Sequence, residues 1–417
     1  MDKILFIYLL ISSILCVEIP VNQSLLRNES TSIDFNVFSS DEYIINVSAY
    51  SNTDWSQEGN ESATLKVVID GNQSEYNQDI IVFNGNTLFT YKCMLGYLNS
   101  GEHSIQFYFD YNKSSLDSEY IYIEKIEILN SGDFVNTDSD VFLYSPILYG
   151  RNIIAWNESS YTDIPIYMYY DIAYNEQHKI ITYYLIFSNE DSRVGFGLSE
   201  LMRAYGRTTD IEWIYRVTID SENNIIDEVF QGASHITENF NGDKYFNHPI
   251  LINATLNCNF SDYGTSDYRF FLNPANSYPE GYSSQILMDQ NSWMYEIMAK
   301  ELINENRYES NPSPMTWDLS DVRNYIYIEF EGNLQGDLEE LKVGVQLYND
   351  CNIYYNDHNE ENIISDFYGG ISRTAIELPA NFNVDDITRI VFSSEGESDY
   401  QLEIIDILNK TEKDGYF

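Results

Sequence analysis

Residues 120 to 128 read Tyr-Ile-Tyr-Ile-Glu-Lys-Ile-Glu-Ile, with isoleucine recurring nearly every second position. A helix would scatter these isoleucines around its axis. A strand collects them on one face, so the period of two dictates extended chain with one side turned inward. The pattern recurs at 43 to 50 (Tyr-Ile-Ile-Asn-Val-Ser-Ala-Tyr), 63 to 69 (Ala-Thr-Leu-Lys-Val-Val-Ile) and 104 to 109 (Ser-Ile-Gln-Phe-Tyr-Phe). Asp70-Gly71-Asn72, Asn84-Gly85-Asn86 and Ser100-Gly101 punctuate the runs. Short alternating runs between such turn signals specify an antiparallel β-sandwich over about 18–132.

The 417 residues exceed one ordinary core, and the patterning changes along the chain. Over 141–310, strands mix with helices in a β-rich α+β pattern. Ile164 to Ile172 alternates, Ile180 to Phe187 is apolar enough for a central strand buried on both faces, Leu198 to Tyr205 reads as a short helix and Gln290 to Asn306 as a longer one. Over 320–408, alternation returns at 325–330, 341–347 and 387–392 and closes with 400–408, which predicts a second β-sandwich. The chain is therefore expected to be mainly β, with residues 132 to 140 as a linker.

Phe38-Ser39-Ser40-Asp41-Glu42-Tyr43 running into the first strong strand, the strand closing on Asp70-Gly71, Leu98-Asn99-Ser100-Gly101-Glu102-His103-Ser104-Ile105, and Ile123-Glu124-Lys125-Ile126-Glu127-Ile128 together resemble the galactose-binding-like jelly rolls used as carbohydrate-binding modules. The resemblance covers the first region alone and implies a jelly-roll sandwich and sugar binding. Glu124 departs from the usual aspartate of the last strand, and Asn112, near where a ligand asparagine often sits, lies in a glycosylation sequon.

The chain carries 66 acidic against 22 basic residues, a formal net charge of -44. Such a field repels phosphate backbones and anionic lipid, which argues against a nucleic-acid partner. The apolar run from Ile4 to Cys16 is too short to span a bilayer and fits the hydrophobic part of a signal peptide over 1–17. No later segment reads as a membrane span, so a secreted protein without membrane insertion is expected. Sequons at Asn22, Asn28, Asn46, Asn60, Asn72, Asn112, Asn157, Asn253, Asn259 and Asn409 agree with a secretory route. Cys93, Cys258 and Cys351 follow the leader; one bridge, Cys258 to Cys351, is the pairing favoured.

No nucleophile elbow, zinc-protease helix or phosphate loop occurs, so no cofactor is expected. Asn136, Asp138 and Asp140 alternate as calcium-loop ligands do, but Val141 stands where such a loop needs glycine. The acidic stretch then reads first as a solvated hinge, with calcium as the alternative.

Residues 203 to 216, Arg-Ala-Tyr-Gly-Arg-Thr-Thr-Asp-Ile-Glu-Trp-Ile-Tyr-Arg, gather scarce arginines beside acids. With Arg193 the neighbourhood holds four cations and no lysine. One reading is a polar cleft in which Arg203 or Arg207 clamps a hydroxyl-rich or anionic ligand and Trp213 offers a stacking face. The favoured reading is a structural network pairing these arginines with Glu190, Asp191, Asp210 and Glu212. Glu190, Asp210 and Glu212 are also the candidates for a two-carboxylate glycosidase centre.

Trp55, Tyr167 and Tyr169 complete the candidate ligand contacts, Trp55 being expected as an exposed stacking platform. The leading expectation is a secreted, N-glycosylated protein that binds a glycan or polysaccharide at a cell surface, wall or extracellular matrix. A polysaccharide-active hydrolase or lyase with an N-terminal targeting module, and a structural or adhesive glycoprotein, are the alternatives. Oligomeric state stays open.

Overall fold

The computed structural model describes residues 16–71, 76–134, 137–151, 164–175, 178–190, 198–255, 257–278, 281–313, 316, 318–335, 340–356, 370–379, 382, 384–395 and 399–410. The expected signal segment through residue 15, together with Asp191, Arg193, Asn72, Asn136 and Asn157, lies outside them.

The first region folds as β1 (Cys16–Leu26), β2 (Ser30–Val37), β3 (Asp41–Ser51), β4 (Ala63–Ile69), β5 (Gln78–Val82), β6 (Phe89–Leu98), β7 (Gly101–Phe109) and β8 (Tyr120–Asn130). They build two antiparallel sheets, in the orders β1-β8-β3-β6 and β2-β7-β4-β5. Apart from the β4–β5 pair, strands adjacent in sequence are dealt between the two sheets, which is the jelly-roll pattern. On β8, Ile121, Ile123, Ile126 and Ile128 point into the sandwich, as the period-two run requires. The change of phase near Lys125 coincides with register shifts on both neighbouring strands.

β3 is buried along nearly its whole length, more than a one-faced strand allows. The second region explains this by packing on the sandwich. Met94 N–H donates to the Phe271 carbonyl at 2.8 Å, Asn273 N–H to the Lys92 carbonyl at 3.3 Å, and Cys93 bridges to Leu272. The 271–273 backbone thus covers the edge of β6, which would otherwise present unpaired amides. Gly96 is required at this seam: its φ is +77°, and an added Cβ would stand 2.2 Å from the Tyr76 ring.

The second region contains β9 (Ile147–Tyr149), β10 (Pro165–Asn175), β11 (His178–Phe187), β12 (Ile211–Ile219), β13 (Ile225–Gln231), β14 (Thr237–Asn239), β15 (Lys244–Tyr245), β16 (His248–Asn253), β17 (Phe260–Ser261), β18 (Arg269–Phe270) and β19 (Pro274–Ser277). Its helices are α1 (Asp140–Leu143), α2 (Leu198–Tyr205), α3 (Ile286–Gln290) and α4 (Trp293–Asn304). The larger sheet runs β14-β13-β12-β11-β10-β19, antiparallel except for the β10–β19 pair. β11 is central, as its apolar composition implies. A smaller sheet joins β15, β16, β9 and β18, with β17 beside β16.

The third region is a sandwich of two three-stranded sheets among the described residues. One joins β20 (Tyr325–Gln335) to β23 (Gly370–Glu377) and β25 (Asp399–Asn409); the other joins β21 (Glu340–Leu347) to β22 (Ile353–Tyr355) and β24 (Ile387–Glu395). It has its own core around Ile328, Phe330, Val343 and Ile376, whereas the core of the first two regions is continuous.

Candidate functional site

The arginine-rich window connects helix to sheet. Gly206 adopts φ +67° just after α2 and donates its N–H to the Met202 carbonyl at 2.8 Å, a glycine helix stop. The chain then turns through Arg207, Thr208, Thr209 and Asp210, all enclosed, into β12. Arg207 donates to the Thr209 carbonyl and lies 4.9 Å over the Tyr205 ring. Arg203 is also enclosed, and its carbonyl accepts from Thr374 Oγ1 of β23. Both side chains are thus enclosed, and the hydrogen bond of Arg207 goes to a backbone carbonyl and not to a carboxylate.

The acids beside them are electrostatically strained. Burial pushes the Asp210 carboxyl well above the usual range, the Glu212 and Glu190 charges push the same way, and Arg207 only partly opposes them. Burial likewise raises Glu190. Glu212 accepts from Gln231 Nε2 and stands 3.5 Å from His235 Nδ1, and its hydrogen bond is the largest cause raising the imidazole. Ser234 and His235 (both φ 59°) and Cys258 (φ 45°) adopt left-handed backbone around this cluster, a costly conformation for non-glycine residues.

The predicted aromatic contacts are mostly consumed internally. Trp55 is 1% exposed, with Nε1 donating to Glu301 of α4, which overturns its role as an exposed platform. Tyr169 stacks on Tyr184 at 4.8 Å and is buried. Trp213 carries the Arg216 guanidinium 5.0 Å above its ring, so that face is occupied. Tyr167 differs, because it lines a cavity between the first two regions.

Two further expectations are corrected. Lys179 Nζ lies 2.6 Å from both Asp138 and Asp140, so an ammonium occupies the position a calcium ion would need. Cys258 is buried beside Asp210 while Cys351 is exposed, and no disulfide joins them. Among the sequons, Asn22, Asn28, Asn112 and Asn409 are exposed, and Asn60 is half-buried. Asn253 and Asn259 are enclosed, which leaves no room for a glycan, and Asn46 on β3 commits its amide to Glu127 at 3.1 Å.

A polar concavity open to solvent lies on the first sandwich. Asp34 and Asn36 of β2, Glu102 and Ser104 of β7, and Asp70 after β4 line a groove of about 580 Å³. Antiparallel register sets Asp34 opposite Ser104 and Asn36 opposite Glu102. His103 bonds Asp70 Oδ2 at 2.6 Å and the Asn99 carbonyl at 2.7 Å, fixing the loop that closes one end. Two residues beyond Asn36, Phe38 is 82% exposed. Sequence reasoning did not single out Phe38, which lies outside the groove's lining, although an isolated phenylalanine before Ser39-Ser40 was its visible signal.

These features define a mainly β protein whose N-terminal part is a jelly-roll sandwich. No protein-family model matches the chain, and no curated protein matches it in sequence. Among solved structures, it is similar over 27% of its length to the CBM36-1 domain of a multidomain xylanase from the hindgut metagenome of Trinervitermes trinervoides, at 15% identity, 84% coverage of that chain and TM-score 0.20. It is similar over 28% of its length to the C-terminal CBM6 of LamC from Zobellia galactanivorans, at 13% identity, 99% coverage of that chain and TM-score 0.21. A Podospora anserina GH26-CBM35 mannanase matches 33% of this chain and 37% of its own, at 10% identity and TM-score 0.20.

Proposed function

We propose that this is a secreted carbohydrate-binding glycoprotein that engages neutral glycans at a cell surface, wall or extracellular matrix through the groove of its N-terminal sandwich. The observation that carries the reading is the open groove itself. Carboxylates and an amide on adjacent antiparallel strands present acceptors at strand spacing, which suits the vicinal hydroxyls of a sugar. Phe38 at the end of β2 supplies an apolar surface for a pyranose face. Asp34, Asp70 and Glu102, inside a field set by a net charge of -44, disfavour sulfated or uronic glycans.

A glycan array probed with the full-length protein tests this. Neutral oligosaccharides are expected to bind and acidic ones to be rejected. Phe38→Ala or Glu102→Ala should each weaken binding by about tenfold, equivalent to the loss of about 1.4 kcal/mol. Retention of acidic glycans, or indifference to both substitutions, defeats the assignment.

A further inference from the structure

We propose that His103 is a positioning residue of the groove: as an imidazolium it holds the turn between β6 and β7 that closes one end, and the groove loses its binding geometry when the ring loses its proton. The proposal rests on the carbohydrate-binding reading of that groove and names what sets its pH range.

Strand alternation places the ring behind the groove and not in it. Asp34 and Asn36 of β2 project outward with their register partners Ser104 and Glu102 of β7. His103 lies opposite buried Phe35, with the two rings 5.6 Å apart and its side chain 11% exposed. From this inner position it reaches around the end of β4 to Asp70 and back to the turn that precedes it.

Both contacts are to acceptors. Nδ1 lies 2.6 Å from Asp70 Oδ2, and Nε2 lies 2.7 Å from the Asn99 carbonyl. A carbonyl oxygen and an ionised carboxylate accept and never donate, so both ring nitrogens must carry hydrogen for both contacts to be hydrogen bonds. The neutral ring has a single N–H, and either tautomer turns a lone pair toward one of the two oxygens. Burial acts to lower the imidazole, but the Asn99 carbonyl and the Asp70 carboxylate outweigh it and raise the ring above 6.5. Asp70 is the titratable group in contact with the ring among the described residues. Phe35 faces it from β2, and Asp34 and Glu102 alternate to the outer side.

What the second proton holds is the turn. Asp70 is secured without it, because its N–H donates to the Ser104 carbonyl at 2.9 Å and its Oδ1 accepts from Ser104 N–H at 2.9 Å. The charge-bearing acceptor keeps the remaining N–H, so deprotonation releases the Asn99 carbonyl. The turn is then tied through Ser100 N–H to Ser40 Oγ at 2.9 Å. Glu102 and its partner Asn36 follow at once, and the end of the groove that carries them slackens. The bracing is complete below 6.5 and is lost as pH rises through the raised value.

The full-length protein tests this at about pH 5.5 and about pH 9, on either side of the ring's titration. Nitrogen-labelled histidine should report both His103 ring nitrogens protonated at the lower pH. Amide exchange from Asn99 to Glu102, corrected for its intrinsic pH dependence, should accelerate when the ring deprotonates. Binding to an array of neutral oligosaccharides should fall about tenfold between the two conditions, the scale of one hydrogen bond. His103→Gln should bind about tenfold more weakly than wild type at the lower pH and show no further fall, which separates the ring from every other titrating group. A singly protonated ring at about pH 5.5, turn exchange indifferent to the ring's proton, or wild-type binding equal at both pH values overturns the assignment. So does a His103→Gln protein that keeps the wild-type profile. If that variant fails to fold, the ring signals and turn exchange of the wild type decide. A doubly protonated ring and a pH-dependent turn with no oligosaccharide bound at either pH would defeat the carbohydrate reading and leave the positioning role standing.

Discussion

The seam between the first and second regions and the seam between the second and third differ in how many buried charges they hold. The first is mostly apolar and aromatic: Tyr76 stacks on Phe271 at 5.7 Å, Phe83 on Trp293, and one core runs through both regions. The second adds buried ions to an apolar contact, since Leu319, Val322, Tyr325, Tyr327 and Ala375 belong to the same core as the first two regions. Arg373 of β23, fully enclosed, reaches Glu329 of β20 at 2.7 Å and Asp289 of α3 at 2.8 Å, while Lys410 pairs with Asp289 and lies 4.3 Å over the Tyr295 ring. Ser283 donates to Glu329 through both N–H and Oγ, at 3.0 and 2.8 Å. An apolar seam tolerates a lost contact by shrinking. A buried ionic seam holds one geometry and fails when one member is removed, because the remaining charges cannot reach water.

The sharpest way to break this contrast is Arg373→Leu, which leaves Glu329 with only the Ser283 donors and Asp289 with Lys410 as its remaining cation. A loss of about 3–5 kcal/mol is expected, with the third region melting first in calorimetry. A single unshifted transition would show the ionic seam to be dispensable.

Glu377, enclosed on β23, sharpens the comparison through pH. Burial raises its carboxyl from 4.5 to about 7, with Ser320 opposing. The folded state therefore holds a proton that the unfolded chain has released, and stability falls as pH rises from about 4.5 to about 7, by about 3 kcal/mol in all. Glu190, Asp210 and His235, all raised, push in the same direction. Melting temperatures should be higher at mildly acidic pH than at alkaline pH, and Glu377→Gln should flatten the slope. A stability maximum above neutrality would contradict both.

A smaller effect is expected from Trp55→Phe, which keeps most of the packing but removes the indole donor from Glu301 in the apolar seam. About 1–3 kcal/mol should be lost by chemical denaturation, the cost of an unsatisfied buried acceptor. A loss like that of Arg373→Leu would mean that the apolar seam too depends on a polar pin. Smallest is Arg207→Lys, expected to cost about 1 kcal/mol because lysine keeps the charge but loses the planar fork over Tyr205. An unchanged midpoint would reopen the window as a ligand site.

The outcomes for individual residues show where sequence stops. Trp55 sits among Asp54, Ser56, Gln57 and Glu58, a setting that reads as surface. Its partner Glu301 lies 246 positions away, and only the docking of α4 against the sandwich encloses it. The helix expected over Gln290 to Asn306 begins at Trp293, because Ile286–Gln290 forms a helix of its own and Asn291 breaks the path with φ -131°, ψ 64°. The apolar face around Ile297 and Met298 was legible, since periodicity survives a shift of boundaries.

Period-two patterning, being a local property of consecutive side chains, determined β3, β4, β7 and β8 of the first sandwich, β20, β21, β24 and β25 of the third region, the buried β11 and the mainly β class, but did not single out β1, β2, β5, β6, β22 or β23. Tertiary structure decided which polar groups are enclosed and that Lys179 lies between Asp138 and Asp140. Burial and pairing between distant segments depend on how sheets dock, and no short-range pattern encodes which residue will lie opposite another across that contact.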